Sequence, residues 1–182
     1  MRYRRAFIPG ASYFLTLVTH ARVPIFADVT AVDLYRGAVR KVQASRAFTR
    51  DAKIILPDHI HLLCTLPDGD ADYPTRVRLI KTAFTRALLR NRLSVDQRSR
   101  SRIAKGEQGV WQRRYWEHAI RDERDFQAHL DYIHINSVKH GLAATAREWP
   151  HSTFLAWVER GAYDPWWGSD RMPPLPDWAG RE

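Results

Sequence analysis

Period is the feature that most restricts this chain: stretches whose side chains alternate in twos are interleaved with stretches whose apolar residues recur every three to four. Residues 13–20 (YFLTLVTH) are rich in aromatic and β-branched side chains and follow the Pro9-Gly10 turn, so they read as a first strand. Asp28 or Thr30 is placed to cap a helix in which Val32, Tyr35, Val39 and Val42 form one apolar line, ending near Arg46. Residues 51–56 (DAKIIL) and 59–66 (HIHLLCTL) are short strands broken by Pro57-Asp58, as expected of antiparallel neighbours. Val77, Ile80, Phe84 and Leu88 mark a second helix, residues 110–120 (VWQRRYWEHAI) a fourth strand, and residues 122–140 a third helix stopped by Gly141. The order strand, helix, strand, strand, helix, strand, helix implies an α+β chain. It is the order of a ferredoxin-like (RRM-like) antiparallel sheet with helices on one face, plus one further helix.

A chain of 182 residues with 45% hydrophobic content can bury one sizeable core, so residues 1–182 are expected to form a single domain. Its core should span about residues 10–142, followed by a helical, Trp-rich extension over about 143–182. Five of the seven tryptophans lie in that extension (Trp149, Trp157, Trp166, Trp167 and Trp178), and large aromatics of this kind most simply fold a short tail onto its domain. Residues 94–109 (SVDQRSRSRIAKGEQG) are too polar to pack and read as a mobile basic loop.

The formal charge is +9, from 29 Lys and Arg against 20 acids, which suits a polyanionic partner better than a neutral metabolite. Cys64 is the only cysteine, which excludes an intramolecular disulfide and a thiolate zinc cluster and makes a reducing cytoplasm the default. No stretch approaches the ~20 apolar residues of a spanning helix, and MRYRRAFIPG is not followed by a signal-type apolar run, so a soluble protein without a membrane partner is expected. There is no GxxxxGK[ST] loop, hence no expected nucleotide cofactor.

Strand alternation puts His59, His61, Leu63 and Thr65 on one face of the 59–66 strand and Ile60, Leu62, Cys64 and Leu66 on the other. Two histidines whose Cα atoms are roughly 6 to 7 Å apart along a strand can chelate one ion, although His-x-His alone is a weak signal and needs a third ligand. On the third helix, Phe126, Leu130 and Ile133 form an apolar stripe, and Asp125, His129, Tyr132, Asn136 and His140 a polar one. Tyr132 and Asn136 are one turn apart on the same face. Periodicity alone makes this an amphipathic surface helix with Tyr132 packed at its rim.

PDHIHLL, GVWQRRYWEHAIRDERDF and DYIHINSVKHGL, with YRRAFIPGASYFLTLVTH and LIKTAFTRALLR, resemble the REP-associated tyrosine transposases. These are relatives of the single-tyrosine insertion-sequence transposases within the HUH nuclease superfamily. The resemblance runs in order from about Tyr3 to Trp167. It implies that His59 and His61 are the HUH metal ligands, that Tyr132 is the nucleophile, and that Asn136 completes the metal site where related transposases use Gln. Ser137 stands where the family usually has Pro, and Leu56 where Met is common; neither is a proposed ligand. The resemblance further implies Mg²⁺ or Mn²⁺, although two imidazoles and an amide would also accept Zn²⁺. The expected reaction is cleavage and rejoining of single-stranded DNA at REP-type palindromic hairpins through a 5′-phosphotyrosine. A monomer is favoured over a homodimer, in the cytoplasm at the nucleoid. For the base that deprotonates Tyr132, His134 lies about 200° round the helix and faces elsewhere, leaving His129 as an alternative.

Candidate DNA contacts are Arg2, Arg4 and Arg5 beside Tyr3 and Phe7, the helix residues Arg78 and Lys81, and Gln112, Arg114 and His118 of the fourth strand, where alternation would put these three with Trp116 on one sheet face. Trp111 and Tyr115 are expected in the core. Two rivals use the same residues differently: a non-catalytic single-stranded nucleic-acid binder, and a histidine-metal phosphodiesterase that activates water.

Overall fold

The structure, a computed structural model, describes residues 6–91, 93, 104 and 108–174. The basic cluster Arg2, Arg4 and Arg5, most of the 94–109 segment and Trp178 lie outside the described residues.

Four strands, β1 (Ser12–Val18), β2 (Thr49–Ile55), β3 (His59–Thr65) and β4 (Trp116–Ala119), form one antiparallel sheet in the order β2-β3-β1-β4. Helices α1 (Val29–Ser45) and α2 (Tyr73–Arg90) follow β1 and β3, which is the ferredoxin-like order expected. Asp28 caps α1 by accepting from the Thr30 amide, and Asp72 caps α2 by accepting from the Thr75 amide. Both helices pack on one face. Tyr13, Leu15 and Leu17 of β1 and Ile60, Leu62 and Cys64 of β3 meet Val32, Tyr35 and Val39 of α1 and Val77, Ile80 and Phe84 of α2 there.

The third helix, α3 (Glu123–Lys139), covers the opposite face. Asp122 caps it by accepting from the Asp125 amide, and Gly141, at φ +66, lies just past its end. It is not the surface helix that periodicity suggested. Nine residues of α3 are buried, among them Asp125, His129, Tyr132, His134 and Asn136, because the C-terminal segment covers the side turned away from the sheet.

That segment includes α4 (Phe154–Glu159) and is tied to the exposed edge of β2. The Ile55 amide donates to His151 O (2.9 Å), the Thr153 amide to Lys53 O (3.0 Å), and the Trp149 and Trp157 indoles to Ile55 O and Asp51 O (both 2.9 Å). The tryptophans therefore close a sheet edge as well as adding apolar area. Gly168 (φ +78) passes so close to α3 that a Cβ there would stand 2.6 Å from Ile135 Cδ1.

The expected 110–120 strand is shorter. Only Trp116–Ala119 pairs continuously with β1, while Trp111 bridges Thr19, two residues out of step with that register. Residues 112–115 bow out between the two pairings, carrying the charged Arg113 and Arg114 into solvent. Gln112 lines a groove beside α2, whereas Trp116 packs under α3. Trp111 is buried in the α1/α2 core and Tyr115 packs against it, as expected.

Candidate active site

β3 delivers His59 and His61 to the face under α3, one residue either side of Ile60, which points into the other core. Their ring centroids are 4.9 Å apart. Each imidazole is oriented through Nδ1. His59 donates to Asp58 Oδ1 at 2.6 Å, and His61 shares a 3.0 Å hydrogen bond with Thr16 Oγ1, its cross-strand partner on β1. Donation through Nδ1 turns His59 Nε2 away from Asp58, the orientation common behind metal-bound histidines. Asp58 is itself held by Arg22 Nη1 at 3.0 Å, from a turn in which Ala21 and Arg22 both adopt φ 53, an uncommon conformation for residues with side chains. Burial works to raise the Asp58 carboxyl, but the hydrogen bonds and charges of His59 and Arg22 outweigh it and keep it below the usual carboxylate value. His61 is fully buried; burial first, then the charges of His59, His140, Lys139 and Arg22, hold its imidazole well below its ordinary value. It is therefore neutral, as a ligand must be.

From α3, the Tyr132 ring stands against His61 at 5.3 Å between centroids and 6.0 Å from Phe14, while His140 stands 5.2 Å from His59. Asn136 is midway between Tyr132 and His140 on that helical face. It is fully buried: its Nδ2 donates to Tyr132 O at 3.5 Å, and its Oδ1 has no hydrogen-bond partner among the described residues. A buried amide oxygen without a donor, on the helical face whose Tyr132 and His140 stand against the two imidazoles, fits a divalent cation. Tyr132 is 0% exposed, which overturns the rim packing suggested by periodicity. Its hydroxyl accepts from Lys139 Nζ at 3.0 Å, and the same ammonium lies 4.7 Å from the centre of its ring.

A second polar cluster joins β4 to α3. His118, Asp125 and His129 each bring a possible ligating atom within 4.8 Å of the others. His118 Nε2 donates to Asp125 Oδ2 at 2.7 Å, Arg121 donates to the same oxygen through its amide and Nε (both 3.0 Å), and His129 Nδ1 donates to Asp125 O at 2.7 Å. Burial opposes the Asp125 charge, yet the Arg121 and His118 hydrogen bonds prevail and depress its carboxyl strongly. Burial pushes His129 down to about 4. The Phe14 ring touches both clusters, at 5.3 Å from His61 and 4.8 Å from His129. His129, donating through Nδ1 to Asp125 O, has Nε2 as its acceptor nitrogen. His134 faces the C-terminal segment, bonded to Thr153 Oγ1 at 3.2 Å, as its place on the helix implied.

The basic residues expected at DNA are dispersed. Lys81 and Gln112 line a groove of about 770 Å³ between α2 and residues 108–113, and Arg78 an adjoining one of about 370 Å³, both on the α1/α2 side of the sheet. Lys81 Nζ also donates to Gln112 O at 2.7 Å. Arg114 is exposed, and His118 lies on the α3 side, partly exposed and held by Asp125. Sequence reasoning missed Asp58, Thr16 and Lys139. Asp58 lies inside the motif that flagged the histidines, and strand pairing would have given Thr16; a lysine in a last helical turn carries no such signal.

No family model matches the chain. It is 39% identical over 168 residues to an Escherichia coli REP-associated tyrosine transposase, covering 92% of this chain and 91% of that protein. A Haemophilus influenzae protein given the same name provisionally is 40% identical over 168 residues, covering 92% and 93%. A solved structure of a REP-associated tyrosine transposase bound to a REP hairpin superposes with a TM-score of 0.77 at 36% identity, covering 97% of this chain and 94% of its own. Likeness at this level over nearly the whole length places the chain: it belongs to the REP-associated tyrosine transposases.

Proposed function

We propose that this transposase is a metal-dependent endonuclease and strand transferase of single-stranded DNA carrying REP-type hairpins, with Tyr132 as nucleophile. His59, His61 and Asn136 would hold the divalent cation, Mg²⁺ or Mn²⁺, which when bound supplies charge stabilisation and orientation of the scissile phosphate. The observation that carries the reading is the packing of the Tyr132 ring against His61, 5.3 Å away, within one chain. Tyr132 gives its phenolic proton to solvent and Oη attacks phosphorus in line; the Oη–P bond forms as the P–O3′ bond breaks, and the 3′-oxygen leaves and takes up a proton from solvent. The 5′-phosphotyrosine keeps the bond energy of the phosphodiester, so a second 3′-hydroxyl reverses the step without ATP. Oriented imidazoles and a buried, donorless amide beside a tyrosine support this reading over pure binding, which needs none of them.

Because one chain carries all four residues, the reading favours a catalytically complete monomer acting at the nucleoid in the cytoplasm. The relative solved with a REP hairpin supports the hairpin as substrate. Arg78, Lys81 and Gln112 on one side, Arg114 and His118 on the other, and Arg2, Arg4 and Arg5 are assigned to DNA contact, with residues 1–182 acting as one domain. Among the described residues no helix is long and apolar enough to cross a membrane.

The test is a trap. Protein, a labelled hairpin oligonucleotide with single-stranded flanks and Mn²⁺ are incubated and run on a denaturing gel. The expected result is a slow covalent band absent from Tyr132→Phe. Free cut product made equally by Tyr132→Phe would replace the tyrosine with an activated water, and retention without cutting by either protein would leave a binder.

A further inference from the structure

Lys139 has a place in the site that its sequence position does not announce. A lysine in the last turn of a helix ordinarily faces the terminal carbonyls and solvent. This one is half-buried and folds back seven residues along α3, so that Nζ lies 3.0 Å from Tyr132 Oη and 4.7 Å from the ring centre. An ammonium has only donors to offer, so Tyr132 Oη is the acceptor. The contact is made to the atom that, on the reading above, bonds to phosphorus.

We infer that Lys139 is a catalytic residue that carries the negative charge of Tyr132 Oη, above all when the tyrosine is the leaving group of the rejoining step. The inference rests on Tyr132 being the nucleophile. In rejoining, the incoming 3′-hydroxyl gives its proton to solvent and its oxygen bonds to phosphorus. The P–Oη bond breaks, its electron pair stays on Oη, and solvent returns the proton that restores the phenol. Lys139 remains an ammonium throughout and donates to Oη as charge gathers there. In a buried site such a donor acts more strongly than in water, because it is already oriented and little solvent competes with it. The same bond fixes the direction of Oη before attack, so cleavage also benefits, but less, since Lys139 already donates to Oη in the starting phenol.

Two single-turnover rates separate this role from packing: formation of the adduct with hairpin DNA and Mn²⁺, and its release by an added oligonucleotide with a 3′-hydroxyl. Lys139→Met is expected to slow release by roughly 10²- to 10³-fold, the range for loss of one oriented donor, and formation by less. Lys139→Arg, which keeps a cation, should recover most of the loss. Placing a fluorinated tyrosine at position 132 supplies the decisive readout. A better leaving phenol should restore release in Lys139→Met by at least about tenfold more than in the unaltered chain, which no packing role would produce. Release at the unaltered rate in Lys139→Met, or a Lys139→Met defect that ignores fluorination, overturns the inference. If Lys139→Met does not fold, Lys139→Gln is read in the same way. No adduct in the unaltered chain would instead overturn the nucleophile itself, and this inference with it; normal adducts with unaffected release sink the lysine alone.

Discussion

The two faces of β3 are built from the same seven residues and do different work. Ile60, Leu62 and Cys64 enter a core of aliphatic and aromatic side chains under α1 and α2. His59, His61 and Leu63 face α3, where Thr16, Asp125, His129, Tyr132 and Asn136 are also buried. The first face is mostly apolar packing; it buries the Tyr35 hydroxyl without a hydrogen-bond partner among the described residues, and α2 buries the charged Arg76, which Asp70 clamps with contacts of 2.6 and 3.1 Å. The second face retains imidazoles held neutral and an amide oxygen without a donor, groups that lower stability unless they serve chemistry. A strand's alternation lets one segment anchor a fold and present a site, and a rigid apolar core on one side positions the polar side chains on the other.

The largest expected effect is chemical. Tyr132→Phe should reduce adduct formation by at least about 10³-fold while the melting temperature moves by only a few degrees, since the ring is kept. A mirror pair of substitutions tests the comparison itself. Leu62→His should lower stability by about 2 to 5 kcal/mol in urea unfolding, whereas His61→Leu should stay within about 2 kcal/mol of the unaltered chain yet cut adduct formation at least about 100-fold. Equal stability losses in the two would show that both faces are merely cores.

Acid should act on the α3 face first. The His129 imidazole, pushed down to about 4 by burial, is near 6.5 when unfolded, so between those values the unfolded chain binds the extra proton. Its stability contribution is present above about 6.5 and is lost as pH falls to about 4, by an amount on the order of 2 to 3 kcal/mol. Asp125, depressed on folding, adds stability that is present above about 4 and is lost only at lower pH. His129→Leu should lower the slope of the unfolding profile between pH 6.5 and 4 by about one proton, the buried His61 and His134 carrying the rest; an unchanged slope would place the titration elsewhere. The smallest effect is at the tail: Trp149→Phe, which removes the indole bond to Ile55 O, should cost about 1 kcal/mol and leave cleavage unaltered.

What could be read from the residues, and what could not, follows the range of the interactions. The helices and first three strands came from local period, and the facing of His59 and His61 from alternation, because backbone geometry alone dictates both. The helical wheel of α3 ranked Phe126, Leu130 and Ile133 as the buried stripe, yet Phe126 is only half-buried, and Asp125, His129, Tyr132 and Asn136 of the polar stripe are buried about as deeply as Leu130 and Ile133, only His140 being exposed. Two non-local layers decide that, the histidine face of the sheet and a C-terminal segment that pairs with β2 about a hundred residues earlier in the chain. The break at residues 112–115 is a matter of register, to which composition is blind. Lys139 was hidden because a long flexible side chain can reach seven residues along its own helix, a span no i,i+4 rule covers.

Intact-mass analysis and peptide mapping of the protein after reaction with a REP-type hairpin oligonucleotide and Mn²⁺ test the account most directly. A mass gain equal to the 5′-phosphorylated fragment, localised to Tyr132 and absent from His61→Leu, is the result expected. Cut DNA with the protein's mass unchanged, or a fragment attached to any other residue, would contradict it.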